Sequence, residues 1–283
     1  MRKVTILGLL LICTMLLTQG AQAVLVTRGA STLFFDDFET ASEVSPYAWA
    51  EQDADPTKRS DSDPDGASIG SWLVTESKNY DIQVINSAVS PDPGPYGSGY
   101  NYLRCVRNPQ DDAARADFAE VTGGSLHLEF MAYIPSDSAE SAMKIIIAGG
   151  DEWHGWDSEM RVAFMTRYDA TWGNYIRYWT PSTSWAPVQG ADGQGYNGAV
   201  IFTPDTWQKW EVDVDLDTQQ WHLSVNNQTS FDRPFAYAGN TAKAVCFVPA
   251  GSPKTFYIDA VPEPATILLL GLGFGGLGLL RRR

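Results

Sequence analysis

The stretch Trp210–Val225, WEVDVDLDTQQWHLSV, alternates apolar and polar residues twice. Its first half alternates tryptophan or valine with acidic residues, and the alternation resumes after the polar segment Asp217–Gln220. A period of two places every second side chain on the same face of a β-strand. The stretch therefore predicts a β-hairpin with one apolar and one polar face.

The same alternation extends over the rest of the chain. Ser125–Ile134 is a second clear example, and roughly a dozen such segments follow one another at a spacing of about 8–12 residues. The chain has 283 residues, of which 44% are hydrophobic, and no linker long enough to separate two domains. We predict a single all-β domain over residues 24–260, folded as a two-sheet antiparallel jelly-roll sandwich.

The charge of the chain excludes one class of partner. Five of the 20 basic residues lie at the two ends, so residues 24–262 contain 15 bases against 33 acids. A body this acidic repels phosphate backbones, and we expect no nucleic-acid partner.

The N-terminus has the three parts of a secretory signal peptide. Arg2 and Lys3 precede an apolar run over Val4–Leu17, and Ala21–Ala23 forms a small-residue cleavage site. We predict that residues 1–23 are removed during export.

The C-terminus, residues 261–283, combines Pro262, Glu263 and Pro264 with an apolar run over Ile267–Leu280 and three final arginines. Terminal arginines are retained on the cytoplasmic side of a membrane, which predicts a short hydrophobic helix with the body outside. This order of features resembles the PEP-CTERM sorting signal. The resemblance implies an inner-membrane-anchored intermediate, an exosortase-type partner, and delivery to the cell surface or extracellular matrix.

Several strand-like segments resemble concanavalin A-like and laminin-G-like jelly rolls, which include carbohydrate-binding modules. They are Leu33–Glu39, Tyr100–Arg104, Phe202–Asn226 and Phe256–Val261. The resemblance implies the sandwich fold and, as a function, the binding of polysaccharide or matrix components.

Glu211, Asp213 and Asp215 resemble the catalytic strand of laminarinase-type glycoside hydrolases, which share this fold. Retaining hydrolysis needs two carboxyl groups about 5–5.5 Å apart, a distance that residues two apart on a strand approach. The family has Glu where this chain has Asp215, and the strand here runs directly into a hairpin. Two alternatives follow: a solvated acidic face, which we favour, or a nucleophile and acid/base pair.

Two sets of acidic residues are candidate ligands for a structural calcium. Jelly-roll carbohydrate-binding modules often hold calcium between the first and last strands, and the matching positions are Glu39 and Asp259, although Ala260 replaces a further acid. The alternative is the loop Asp61, Asp63 and Asp65, whose carboxylates on alternate residues suit an oxygen-ligated ion. For the second set we favour an acidic loop without metal, because Asp, Ser, Pro and Gly are also common loop residues.

Aromatic residues concentrate between positions 153 and 185. We expect Trp153, Trp156, Trp172 and Trp185 to stack on sugar rings, and Trp179 to lie in a strand. The alternative is that these rings fill the core.

Two cysteines remain after removal of the signal peptide. Cys105 and Cys246 form an even pair in an oxidising compartment, which predicts a disulfide, while two buried thiols are the alternative. No histidine has a second histidine or a cysteine at metal-ligand spacing, so His127, His154 and His222 are expected to be ordinary surface residues.

Three functions remain open. The first is a non-enzymatic surface or matrix protein that binds polysaccharide, the second a glycan-degrading enzyme, and the third a purely structural envelope protein.

Overall fold

A computed structural model describes residues 24–36, 38, 47–49, 67–69, 72–75, 82–86, 101–107, 113–138, 142–150, 158–170, 173–182, 184–189, 199–251 and 254–259. The described residues form 19 strands and one short 3₁₀ turn at Ser136–Ser138. In chain order the strands are β1 (Val24–Arg28), β2 (Ser31–Asp36), β3 (Tyr47–Trp49), β4 (Ala67–Ile69), β5 (Trp72–Thr75), β6 (Ile82–Asn86), β7 (Asn101–Arg107), β8 (Ala113–Thr122), β9 (Ser125–Tyr133), β10 (Met143–Ala148), β11 (Met160–Asp169), β12 (Gly173–Trp179), β13 (Trp185–Pro187), β14 (Gln208–Asp215), β15 (Gln220–Val225), β16 (Gln228–Thr229), β17 (Arg233–Pro234), β18 (Thr241–Pro249) and β19 (Lys254–Asp259).

The strands form two antiparallel sheets. Sheet A has the order β16-β15-β14-β9-β19-β7-β6-β3, with β1, β2 and β17 attached beside this path. Sheet B has the order β13-β12-β11-β10-β18-β8-β5-β4. The prediction of an all-β, two-sheet antiparallel jelly-roll sandwich is confirmed, and so is the predicted hairpin, in which Asp215 pairs with Gln220 across the turn.

Apolar side chains of both sheets pack into one core between them, and aromatic rings cross this core in an unbroken series. Successive rings of the series lie at centroid distances of 5.1 to 6.2 Å. We call this series the aromatic spine; its members, in order, are Trp221, Phe164, Trp210, Phe130, Phe247, Trp72 and Phe34. Trp72 is also fixed by a hydrogen bond of 2.7 Å from its indole N–H to Asp36, a buried carboxylate.

The first and last described strands lie along the same side of β9. β14 pairs with one side of β9, and on the other side β1 pairs with His127–Phe130 and β19 with Met131–Tyr133. β19 also pairs with β7, so the last strand joins the two halves of sheet A.

The predicted disulfide between Cys105 and Cys246 is not present; both residues are buried thiols. Cys105 packs in the core between the sheets, beside Ile82 and Phe256 of the neighbouring strands. Cys246 belongs to a separate cluster with Ile146, whereas its neighbours along β18 face the core between the sheets. The two thiols therefore lie on different sheets and face different layers, which agrees with the alternative of thiols packed as small apolar side chains.

Both predicted targeting segments, residues 1–23 and 261–283, lie outside the described residues. Within the described part of the chain, no helix has the length and hydropathy needed to cross a bilayer.

Candidate functional site

The outer face of sheet A carries a row of three polar side chains on adjacent strands. His127 of β9 and His222 of β15 are both paired in register with Asp213 of β14. Nδ1 of His127 lies 2.8 Å from Oδ1 of Asp213, and Nε2 of His222 lies 3.1 Å from Oδ2. Nδ1 of His222 also lies 3.3 Å from Asp232. Asp213 is therefore held by imidazoles from both neighbouring strands.

The next row places two carboxylates directly opposite each other. Glu129 of β9 pairs in register with Glu211 of β14. The ammonium of Lys209 lies 3.1 Å from Glu129 and 2.9 Å from Glu211, and so bridges them. Nε2 of His127 faces Glu129 at 3.6 Å.

These contacts shift the protonation equilibria of the face. The hydrogen bond to Asp213, followed by the interaction with Glu129, raises the pKa of His127 to about 9. The same imidazole lowers the pKa values of Glu129 and Asp213. At neutral pH this face is therefore a network of ion pairs.

The three candidate catalytic carboxylates point to the same outer face, and each has its own partner. Glu211 binds Lys209, Asp213 binds both histidines, and Asp215 accepts hydrogen bonds from the backbone N–H groups of Thr218 (3.0 Å) and Asp217 (2.9 Å). The hydrogen bond from Thr218 is the main reason that the pKa of Asp215 is lowered. Asp213 and Asp215 border a depression of about 450 Å³ that also includes His222 and Asp232.

An aromatic and basic patch lies on the outer face of sheet B. Trp179 at the end of β12 pairs with Trp185 of β13, with ring centroids 5.2 Å apart and ring planes at 75°. The guanidinium of Arg177 lies 5.0 Å above the ring of Trp185. All three side chains are half-buried. We call Arg177, Trp179 and Trp185 the Trp185 platform.

Arg177 offers a hydrogen-bond donor at this platform. Its Nε is buried, and among the described residues none accepts a hydrogen bond from it. Burial and the neighbouring Arg167 lower the pKa of Arg177, so two guanidinium groups lie close together here. The platform therefore combines aromatic surface with a cationic group, a combination found in ligand-binding sites.

The structure brings few of the other predicted site residues together. Trp153, Trp156 and Trp172 lie outside the described residues, as do Glu39, Asp61, Asp63 and Asp65. Asp259 is described and is buried on β19, so the calcium site that pairs it with Glu39 stays a prediction.

Chain spacing could not reveal the role of the histidines, because the residues that meet are far apart in sequence. His127 and Asp213 are 86 residues apart. A useful signal was nevertheless present: His127, Glu129, Asp213 and His222 all occupy polar positions of alternating strands, which places them on solvent-facing surfaces.

Comparison with known proteins identifies the C-terminus. Residues 260–283 match the PEP-CTERM protein-sorting motif, which confirms the resemblance of Pro262, Glu263 and Pro264 to that signal. No curated protein matches the chain.

Several solved structures resemble the sandwich. A sialidase has a TM-score of 0.44 at 9% identity, over 67% of this chain and 16% of the sialidase, so this chain spans a small part of that protein. The potassium-bound Emp46p carbohydrate recognition domain has a TM-score of 0.40 at 13% identity, over 68% and 87% of the two chains. LamAcat from Zobellia galactanivorans has a TM-score of 0.35 at 12% identity, over 65% and 80%.

Proposed function

We propose that this chain is an exported surface or matrix protein whose jelly roll binds polysaccharide without cleaving it. The sorting motif at residues 260–283 supports export and processing by an exosortase. The observation that carries the binding proposal is the Trp185 platform, where a guanidinium lies 5.0 Å above a half-buried indole ring.

The charge of the platform suggests the class of polysaccharide. The body is acidic, with 15 bases against 33 acids over residues 24–262, yet Arg177 and Arg167 are neighbours here. Guanidinium groups bind carboxylates and sulfates through paired N–H donors. The expected ligand is therefore a polysaccharide with acidic sugars, which would stack on the indole and pair with Arg177.

A glycan array probed with the purified protein tests the proposal. We expect saturable binding to acidic glycans that Trp185→Ala weakens by about tenfold, because stacking on an aromatic ring contributes on the order of 1 kcal/mol or more. Phe35→Ala is the matched control, since Phe35 is 44% exposed and lies on β2, in the other sheet. An equal loss of glycan affinity in both variants, or an absence of glycan binding by the natural chain, would favour the alternative of a purely structural protein.

The alternative of a glycan-degrading enzyme rests on Glu211 with Asp213 or Asp215, and the two aspartates border the same depression. The general acid of such an enzyme needs a raised pKa, whereas hydrogen bonds lower the pKa of both carboxyls here. This difference supports a non-enzymatic role. Release of reducing ends from a bound glycan, abolished by Asp213→Asn, would establish the enzymatic role instead.

A structural calcium at Glu39 and Asp259 is part of the proposal, because a metal at Asp259 would hold the central strand β19. Calcium that binds only the folded state raises the melting temperature. We expect Asp259→Ala to abolish a calcium-dependent rise that Asp63→Ala preserves. An unchanged melting temperature in chelator would remove calcium from the proposal.

A further inference from the structure

We infer that the outer face of sheet A binds a divalent transition metal, with Zn²⁺ as the probe, through Nε2 of His127 and the carboxylates of Glu129 and Glu211. This site goes beyond polysaccharide binding and does not depend on it, because the Trp185 platform lies on the other sheet.

The three ligand atoms are already grouped. One nitrogen or oxygen atom from each of His127, Glu129 and Glu211 lies within 4.8 Å of the others. Ligands that are each about 2.1 Å from one tetrahedral ion lie about 3.4 Å apart, so the set must contract by up to about 1.4 Å. The glutamate side chains rotate far enough for that, and the strand register holds their backbones opposite each other.

The orientation of His127 provides independent support. A metal-binding histidine commonly donates its other N–H to a carboxylate, which fixes the tautomer and aims the ligating nitrogen. Nδ1 of His127 lies 2.8 Å from Asp213, and this leaves Nε2 on the side of Glu129. The imidazole, protonated in the metal-free protein, releases its Nε2 proton to solvent when a metal binds there. His222 holds the second oxygen of Asp213 at 3.1 Å, so the supporting carboxylate is itself fixed.

A cation already bridges the two carboxylates. Glutamates directly opposite each other on neighbouring strands repel, and the ammonium of Lys209 relieves that repulsion at 3.1 and 2.9 Å. The Lys209 side chain is 41% exposed, so it can move into solvent when a metal takes its place.

The donor set selects the kind of metal. Imidazole nitrogen suits zinc and similar transition metals, whereas calcium takes oxygen ligands in larger number. Three protein ligands on an exposed face leave further coordination positions to water.

Calorimetric titration of the full-length protein with ZnCl₂ in about 0.15 M salt tests the inference, because salt at that concentration screens general attraction to acidic surfaces. We expect saturable binding of one Zn²⁺ that millimolar Ca²⁺ does not displace. Lys209→Met should tighten binding several-fold, since it removes the competing ammonium.

Variants at the site separate coordination from charge. Glu211→Gln and His127→Gln each remove a ligand and should weaken zinc binding by at least about tenfold. Asp213→Asn alters a positioning residue and should weaken zinc binding by about 10–100-fold. Asp232→Asn removes the same charge as Glu211→Gln outside the ligand set, and should change the affinity by less than about twofold. The melting temperature of each metal-free variant verifies that it is folded.

Three results would overturn the inference. The first is that the natural chain shows no saturable binding of Zn²⁺. Zinc binding by the Lys209→Met variant alone would be the same result, because the ammonium of Lys209 would then exclude the metal from the natural protein. The second is an equal loss in Asp232→Asn and Glu211→Gln, which would reduce binding to charge attraction. The third is displacement of Zn²⁺ by Ca²⁺.

Discussion

The carboxylate of Asp213 links neighbouring strands on the outer face of sheet A. Its two oxygens bind His127 and His222, so a single carboxylate connects three adjacent strands, β9, β14 and β15. In return, Asp213 and Glu129 hold His127 in its protonated form at neutral pH. Stability and pH are therefore linked at this position.

We predict that metal-free protein loses stability as the pH rises through about 9. The pKa of His127 is raised from 6.5 to about 9, so its contribution is fully present below pH 6.5 and is lost through the folded-state value. Because the side chain is 32% exposed, the loss should be on the order of 1 kcal/mol. Urea unfolding between pH 6 and 10 measures it, with His127→Gln as the control that removes this part of the profile. An imidazole that titrates near pH 6.5 by NMR would contradict the prediction.

The cysteines show what residue types alone leave undecided. Composition and compartment favoured a disulfide, but a disulfide also requires two side chains that face each other. Cys105 faces the core between the sheets, and Cys246 belongs to the cluster on the other side of β18. A shift of one residue in either strand would reverse the direction of its thiol, and the sequence does not determine the pairing partners at that level.

We predict that both thiols are intact in the exported protein. Because each is buried, alkylation should be slow in the native state and complete after denaturation without reductant. Mass spectrometry should give the same intact mass with and without reductant. An intact mass that is lighter by two hydrogens without reductant would show instead that Cys105 and Cys246 form the disulfide.

At the scale of elements, the long strands were predictable and the short ones were not. The alternation over Ser125–Ile134 and Trp210–Val225 is long enough to establish a period of two; the first segment contains β9, and the second forms the hairpin of β14 and β15. β16 and β17 have two residues each, which is too short to show a period, and they form because β15 offers an edge to pair with. For the same reason the described residues form 19 strands where the pattern predicted roughly a dozen.

The turn between β15 and β16 gives a test at this scale. Asn226 and Asn227 have φ values of 47° and 68°, the left-handed conformation that two-residue hairpin turns need. Asn227→Gly should stabilise the protein by about 0.5 kcal/mol, and Asn227→Val should destabilise it by at least about 1 kcal/mol, because a branched Cβ is strained at positive φ. Urea midpoints measure both, and the opposite order would contradict this account of the turn.

For the whole molecule, the aromatic spine explains how two sheets of short strands form one unit. Phe164 of sheet B contacts Trp210 and Trp221 of sheet A, and Phe247 of sheet B contacts Phe130 of sheet A. The alternating pattern predicted one apolar face for each strand, but the sequence could not show which rings meet, because each contact joins strands far apart in the chain.

We predict that Phe164→Ala lowers the free energy of unfolding by about 3–5 kcal/mol. Phe164 is fully buried between Trp210 and Trp221, so the truncation leaves a cavity in the spine. Phe35→Ala, at a side chain that is 44% exposed, should cost much less. Denaturant unfolding, with m-values unchanged between variants, measures both free energies of unfolding. An equal decrease in the two variants would show that the aromatic spine contributes no more stability than an exposed ring.

The position of β19 sets an order of events during secretion. β19 pairs with both β7 and β9 in the middle of sheet A, although it is the last described strand of the chain. Until Lys254–Asp259 reach the exterior, β7 lacks its partner on one side and the two halves of the sheet remain separate. Pairing between distant segments is slow even when both are available. We therefore expect a chain that is exported from its N-terminus to complete its folding only after Lys254–Asp259, which directly precede the matched sorting motif at residues 260–283, have emerged.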